Sequence, residues 1–523
     1  MTTPMHWARW GDPSHASALP ESAAGLIDAV FGTDEKATVA LADVDLPVPG
    51  LDDALRAELR ALLGEEHVRT DHESRVRHTR GKSTPDLLKI RQGDATDAPD
   101  AVLLPADHDQ VQEVVEWCSE HKVALVPFGG GTSVVGGLAA TRSGFAGVVA
   151  LDLSRLDRLV RVDPESHTAV LQAGLLGPAA EALLAEHGMT LGHFPQSFEY
   201  ASIGGFAATR SSGQASAGFG RFDSMVVGLR VATPLGTLEL GSAPANAAGP
   251  DLRQLVLGSE GAFGVITEVT LRVRPVPAVK VYESWRFDTF ADGAAALRTL
   301  TQERIAPTVL RLSDEAETSI NLARPSEVGG DSAGGCLMIA GFEGTQGYVD
   351  RARAVVTERL TALGGRPLGE EGGEAWAQGR FHGPYLRDSL LDVGVLVETL
   401  ETATFWSNIP ALYAGVRAAL ESTLDGAIVL CHISHVYETG ASLYFTVAAK
   451  QAADPLGQWA AAKAAASDAM IAAGATITHH HAVGRDHLPW FAREIGPVGV
   501  EMLRAVKQRV DPAGVLNPGI LVP

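Results

Sequence analysis

The segment ATITHHHAVGR, residues 475–485, sets His479, His480 and His481 side by side near the end of the chain. Expression tags sit at termini, so an internal triplet belongs to the protein. Imidazoles ligate metals, fill polar packing positions, or move protons, since their ordinary pKa lies near neutrality. If ATITHHH is a strand, side chains alternate, so His479 and His481 share one face and His480 points away. Three adjacent strand residues cannot all reach one ion, and no further zinc ligand is marked by spacing, so no metal is expected. Polar packing and proton movement beside a reacting group remain, and the second is preferred. Tyr444 in GASLYFTV, flanked by apolar Leu443 and Phe445, reads by itself as an ordinary strand aromatic. Arg311 in VLRLSD and Arg387 in PYLRDSLL read by themselves as solvated or paired arginines. In a chain of net charge −21, however, an arginine facing a cleft is what a phosphate or carboxylate ligand requires, and a guanidinium binds either one bidentately.

A ligand-gripping surface is suggested by three loops. PFGGGTSVVGGL, residues 127–138, ends a strand with three consecutive glycines, which can turn their N–H groups toward an anion such as a diphosphate. It lacks the Lys-Ser/Thr ending of a P-loop, and Val134 spoils GxGxxG. Asp152 stands about twenty residues on, where a Rossmann ribose-binding acid would lie, but the segment between shows no amphipathic helical face. PQSFEYASIGGFAATRSSG (195–213) and GSEGAFGVITEV (258–269) are also rich in small and hydroxylic residues and abut strands. Together the three suggest one extended ligand held along its length.

The elements that must position these groups follow from periodicity. Leu51, Leu55, Leu59 and Leu62 mark an amphipathic helix in an otherwise broken N-terminal extension, residues 1–96. Asp107 caps a helix with Val111, Val114, Val115 and Cys118 on one face, leading into a strand over 122–128. Residues 97–276 read as mixed α and β, closed by the linker RPVPAVK. Beyond it, residues 277–484 read as two similar α/β sets, including a strand entering the histidines, with helices on one face of an antiparallel sheet. The tail, 485–523, is expected to dock back on the first domain. The acidic balance argues against nucleic acid, and three dispersed cysteines fit a reducing compartment, with the cytoplasm expected. No apolar run reaches membrane-spanning length.

In the order PFGGGTS, QSFEYAS, TRSS and EGAFGVI, the loops resemble the FAD-binding domain of the vanillyl-alcohol oxidase (PCMH-type) superfamily. HWARWGDP, PTVLRLSD, GASLYF and HHHAVGR narrow the resemblance to the alkyldihydroxyacetonephosphate synthases, over nearly the whole chain. It implies an α+β fold: a two-subdomain FAD-binding domain and a cap domain whose antiparallel sheet is covered by helices. It implies FAD held by Pro127, Phe128, Gly129, Gly130, Gly131, Thr132 and Ser133, then by Gln196, Ser197, Ser202, Thr209, Arg210, Ser211 and Ser212. Glu260, Gly261, Gly264, Val265 and Ile266 complete the set. The glycine loop contains no histidine to tether flavin, so non-covalent FAD is expected.

The implied reaction replaces the acyl chain of acyl-dihydroxyacetone phosphate with a fatty alcohol through a flavin N5 adduct. Tyr444 would take and return the substrate proton, His479, His480 and His481 would assist it, and of the two matched site arginines, Arg311 and Arg387, Arg387 would contact the substrate. His432 stands where that family's arginine is expected. The tail VDPAGVLNPGIL is closer to FAD-linked 2-hydroxy-acid dehydrogenases, so an FAD-dependent oxidoreductase of a 2-hydroxy acid or other alcohol is the alternative. No peroxisomal targeting extension is expected, and the alanine-rich composition suggests a bacterial source. A homodimer stays open, as does peripheral contact with lipid, although no basic amphipathic helix announces it.

Overall fold

A computed structural model of the chain describes residues 4–15, 21–139, 141–320 and 334–523. The first half carries a four-stranded sheet in the order Val68–Arg69, Ala101–Leu103, Gly147–Asp152, Val123–Phe128, of which the last three run parallel. Helix His108–His121 joins Ala101–Leu103 to Val123–Phe128, with Val111, Val114, Val115 and Cys118 fully buried. Its first turn is closed by Asp107, whose Oδ1 accepts from Gln110 N at 3.0 Å. The neighbouring parallel strands Val123–Phe128 and Gly147–Asp152 are joined without any helix among the described residues of 129–146; Ala140 lies outside them. A parallel crossover ordinarily carries a helix, so this connection leaves an irregular glycine-rich backbone free to face a ligand. A five-stranded antiparallel sheet follows, ordered Leu159–Asp163, Thr168–Gln172, Val265–Arg272, Val226–Thr233, Gly236–Leu240.

The two expected α/β sets merge into one antiparallel sheet of seven strands. Its order is Arg366–Gly369, Val279–Phe287, Cys336–Gly344, Val309–Ser313, Ile428–Val436, Gly440–Lys450, Val395–Phe405. The period of two sorts its side chains. Leu310, Leu312, Cys431, Ile433, Leu443 and Phe445 face a core shared with helices Phe290–Gln302, Gln346–Ala362, Ile409–Thr423 and Pro455–Ala472. The intervening Arg311, His432 and Tyr444 line a cavity on the other side. The histidine triplet is not the expected strand: only Thr476 bridges the sheet, opposite Ala403, and the third strand of the second set is Val395–Phe405.

The chain's ends tie the halves together. Thr84 donates from Oγ1 to Val397 O and from N to Glu398 Oε2, each at 2.6 Å. In the tail, Leu125 N donates to Val515 O and Asn517 N to Leu125 O, each at 2.8 Å, and Val515 and Leu516 are fully buried in the first core. No helix among the described residues is long and apolar enough to cross a membrane.

Candidate active site

One cavity of about 460 Å³ is lined both by the glycine loops and by the seven-stranded sheet. At the first loop the backbone is packed too closely for any side chain. A Cβ on Gly130 would lie 1.6 Å from Tyr200 O, one on Gly129 would lie 2.3 Å from Ser202 Oγ, and Gly131 has φ +69°. This is a cradle built from bare backbone. Ser202 caps helix Ile203–Thr209, accepting from Gly205 N at 3.1 Å, and the Thr209 hydroxyl donates to Gly205 O at 2.9 Å. Gln196, Ser197, Ser211, Ser212, Gly261, Gly264, Val265 and Ile266 line the same cavity. Glu260 does too, but its Oε2 accepts from Val483 N and Gly484 N at 3.1 and 2.8 Å, which fixes the turn after the histidines. Burial raises its carboxyl to about 7, against those two N–H groups.

Arg210, expected on the cofactor, does not line the cavity. It ends its helix with φ +51°, and its guanidinium turns back to Leu257 O and Gln254 O, each at 2.9 Å. Asp152, the candidate ribose acid, instead meets His78 Nε2 at 3.0 Å.

On the sheet, register brings the reactive groups together. His432 and Glu401 both pair with Tyr444, from the strands on either side of it. The rings of His432 and Tyr444 stack at 4.9 Å and 17°. Burial pushes the Tyr444 phenol up to about 12, opposed by a hydrogen bond with the Thr399 side chain. It is therefore a neutral hydroxyl at rest. Arg311 is committed to Glu317, whose carboxylate is held at about 2 by Arg311 and His432 despite its burial. Arg387 donates from Nη1 to Lys82 O at 2.6 Å and holds Nη2 3.5 Å from Asp388 Oδ1, while its buried Nε has no hydrogen-bond partner. An unsatisfied buried guanidinium edge is an anion site by its chemistry.

The triplet is gathered on a carboxylate. Glu401 Oε2 accepts from His479 N at 2.7 Å, Oε1 accepts from His481 N at 2.9 Å, and both oxygens take His480 N at 3.2 Å. Successive N–H groups of a strand point in opposite directions, so three converging on one carboxylate force a bend. The expected alternation fails accordingly: His480 and His481 line the cavity, whereas His479 lies behind them. Glu401, His479 and His480 each offer a ligand atom within 4.8 Å of the others, but the carboxylate is already occupied by backbone N–H groups and the Thr478 hydroxyl. Burial keeps His481 neutral, at about 3.

The first hundred residues also reach the site, and of the side chains that do so only Trp10 lies in a motif, HWARWGDP. Trp10, Ile27 and Phe31 line the cavity. Lys82 N donates to Ser133 O at 2.7 Å, and Gly81 passes so close that a Cβ would lie 2.0 Å from that oxygen. Burial lowers the Lys82 ammonium to about 7, and its Nζ donates to His6 O and Trp7 O at 2.8 and 2.9 Å.

Residues 99–241 match the FAD binding domain family, and residues 276–521 match the C-terminal domain of FAD linked oxidases. An alkyldihydroxyacetonephosphate synthase of Dictyostelium discoideum is 33% identical over 520 residues, covering 95% of this chain and 85% of that protein. The chain belongs to the alkyldihydroxyacetonephosphate synthase family. A second such synthase, from Trypanosoma brucei brucei, is 34% identical over 508 residues, or 91% of this chain and 82% of that protein. A solved structure of alkyldihydroxyacetonephosphate synthase superposes with a TM-score of 0.83 at 30% identity, over 98% of both chains. The synthase family's architecture accounts for the two halves: a PCMH-type FAD-binding domain and an oxidase-type cap. FAD is the family's cofactor, and the bare backbone at Gly129, Gly130 and Gly131 suits a diphosphate.

The convergence of the histidine segment on one carboxylate makes Glu401 a target. Glu401→Ala leaves the N–H groups of His479 and His480 without an acceptor, and His481 N with Thr478 Oγ1 alone, and is expected to cost about 3–5 kcal/mol. Urea unfolding should show a lower midpoint with an unchanged slope; a midpoint equal to wild type would mean that the carboxylate does not hold the bend.

Proposed function

We propose that the chain is a synthase of this family's type, exchanging the acyl chain of acyl-dihydroxyacetone phosphate for a fatty alcohol, with FAD bound non-covalently. The observation that carries this is a single cavity combining an anion clamp, a neutral phenol among imidazoles, and an apolar wall. Ile27, Phe31, Leu390, Val395, Ile428 and Ala448 form one hydrophobic cluster, and each of them lines the cavity. A small 2-hydroxy acid needs no such wall, whereas an alkyl chain gains about 0.8 kcal/mol for each buried CH₂.

In this reading Arg387 takes the phosphate with its unbonded Nε and with Nη2, which shares its charge with Asp388 Oδ1 at 3.5 Å. Arg311 positions the site through Glu317 and His432. Tyr444 holds the proton that leaves and returns at the substrate carbon, and His480 and His481 stabilise the charge this moves. When bound, FAD supplies the electrophilic ring at which the exchange occurs without net redox change. The apolar wall disfavours water, which would otherwise compete with the alcohol.

The test is anaerobic incubation with acyl-dihydroxyacetone phosphate and labelled alcohol. Labelled alkyl product with the flavin still oxidised is expected, and acid precipitation should release yellow FAD into the supernatant. Full bleaching by a 2-hydroxy acid with no alkyl product would instead establish an oxidoreductase.

A further inference from the structure

The polar chain that begins at the cavity does not end there. His480 lines the cavity, and its Nδ1 lies 3.1 Å from Nδ1 of His479 and 3.2 Å from Glu401 Oε2. On its far side, His479 Nε2 lies 2.6 Å from the hydroxyl of Tyr437. Tyr437 occupies the turn between strands Ile428–Val436 and Gly440–Lys450 and is 37% exposed, whereas His479 is 6% exposed. We propose that His480, His479 and Tyr437 form a proton relay from the cavity to solvent, discharging one proton per turnover.

This rests on the exchange reaction proposed above, whose balance requires an exit. The bond between C1 and the acyl oxygen breaks, and the acyl chain leaves as a carboxylate. A new bond forms between C1 and the alcohol oxygen, and the alcohol's hydrogen is left over. No electron is gained or lost. Because a fatty acid is ionised at neutral pH, each alkyl product is accompanied by one H⁺, released in a cavity whose wall is apolar.

His479 is the joint. Burial holds it well below the ordinary imidazole range, with His435, His480 and Arg221 adding to the effect and Glu401 opposing it, so the ring is neutral. A neutral ring has one N–H, which fixes the polarity of both its bonds. When His480 Nδ1–H is shared between Glu401 Oε2 and His479 Nδ1, His479 carries its hydrogen on Nε2 and donates to the Tyr437 oxygen. Moving a proton in at one nitrogen and out at the other carries it along the chain and reverses that polarity. The frame holds the geometry: His479 N donates to Glu401 Oε2 at 2.7 Å, and Arg221 Nη1 donates to His479 O at 2.9 Å. Tyr437 is held by its N–H to Gly440 O at 2.8 Å and by Trp406 Nε1 donating to its carbonyl at 3.0 Å.

Tyr437→Phe keeps the ring and the turn and removes the hydroxyl. In the FAD-loaded enzyme at low buffer concentration, turnover is expected to fall roughly tenfold, less than for a group acting on substrate itself. Added imidazole should restore most of it, and proton release read by an indicator dye should lag product formation. A merely structural role would slow both together and would not answer to buffer. Wild-type turnover in low buffer, or a loss that imidazole does not repair, overturns the relay. A second measurement does not depend on substrate. In protein labelled with ¹⁵N-histidine, ring N–H exchange of His479 and His480 with water should slow roughly tenfold in Tyr437→Phe, and unchanged exchange overturns the relay as well. A wild type that makes no alkyl product refutes the exchange reaction alone, and ring exchange still decides the relay.

Discussion

Tyr444→Phe is expected to lower kcat by roughly 10² to 10⁴, the range for losing a general acid–base group, while FAD content stays at the wild-type level. The position explains the size of the effect. Tyr444 stands on strand Gly440–Lys450 between core-facing Leu443 and Phe445, so its ring cannot leave the cavity face without turning apolar neighbours outward. Stacking on His432 fixes the ring plane, and His481 approaches at 5.7 Å and 87°. With burial raising the phenol to about 12, roughly one molecule in 10⁵ is phenolate at pH 7. Tyr444 can accept a proton only by passing its own to a neighbour, and the neighbours with ring nitrogens are His432, His480 and His481. Phe preserves the stack and removes the hydroxyl. The lost hydrogen bond with Thr399 should cost only about 1 kcal/mol, so thermal unfolding should barely move. A variant that keeps more than about a tenth of wild-type turnover would exclude the hydroxyl from the proton step.

That Arg311, His432 and Tyr444 each point opposite to apolar neighbours is written in the alternation of their short runs, whereas their sharing one face follows from strand order and register. The glycine loops were legible for a similar reason: glycine at consecutive positions announces a backbone that something must approach. The strand Val395–Phe405 was not, because VLVETLETATF places two glutamates where a buried strand should be apolar. Both are 3% exposed, and both are satisfied from distant sequence: Glu398 by Thr84 N and Glu401 by the histidine segment. A buried carboxylate with remote N–H partners looks like a surface residue until the partners are known. The same carboxylate explains why period-two reasoning failed at the triplet. The contributions of Ile27, Phe31 and Lys82 were hidden differently: their role depends on where the N-terminal segment crosses the cavity, which no local pattern encodes.

Gly130→Ala should weaken FAD binding by roughly 10²-fold or more, equivalent to losing two or three backbone hydrogen bonds at about 1 kcal/mol each. The added methyl would lie 1.6 Å from Tyr200 O and 2.6 Å from Tyr200 C, so it meets main chain and not a side chain able to rotate away. Tyr200 cannot yield easily, since its N–H donates to Ser197 O at 3.1 Å and its ring packs with Trp10 and Tyr385. The glycine loop must therefore move, and with it the N–H groups of Gly129 and Gly131, whose own positions tolerate no Cβ. Titrating apo protein with FAD and following quenching of flavin fluorescence measures the loss. Gly415→Ala, in the interior of helix Ile409–Thr423, where a Cβ meets only Ala469 Cβ at 3.9 Å, is the matched control and should bind FAD as wild type does. If Gly130→Ala binds FAD as tightly as Gly415→Ala, the diphosphate does not lie on this loop, and the cofactor must enter the cavity in another orientation.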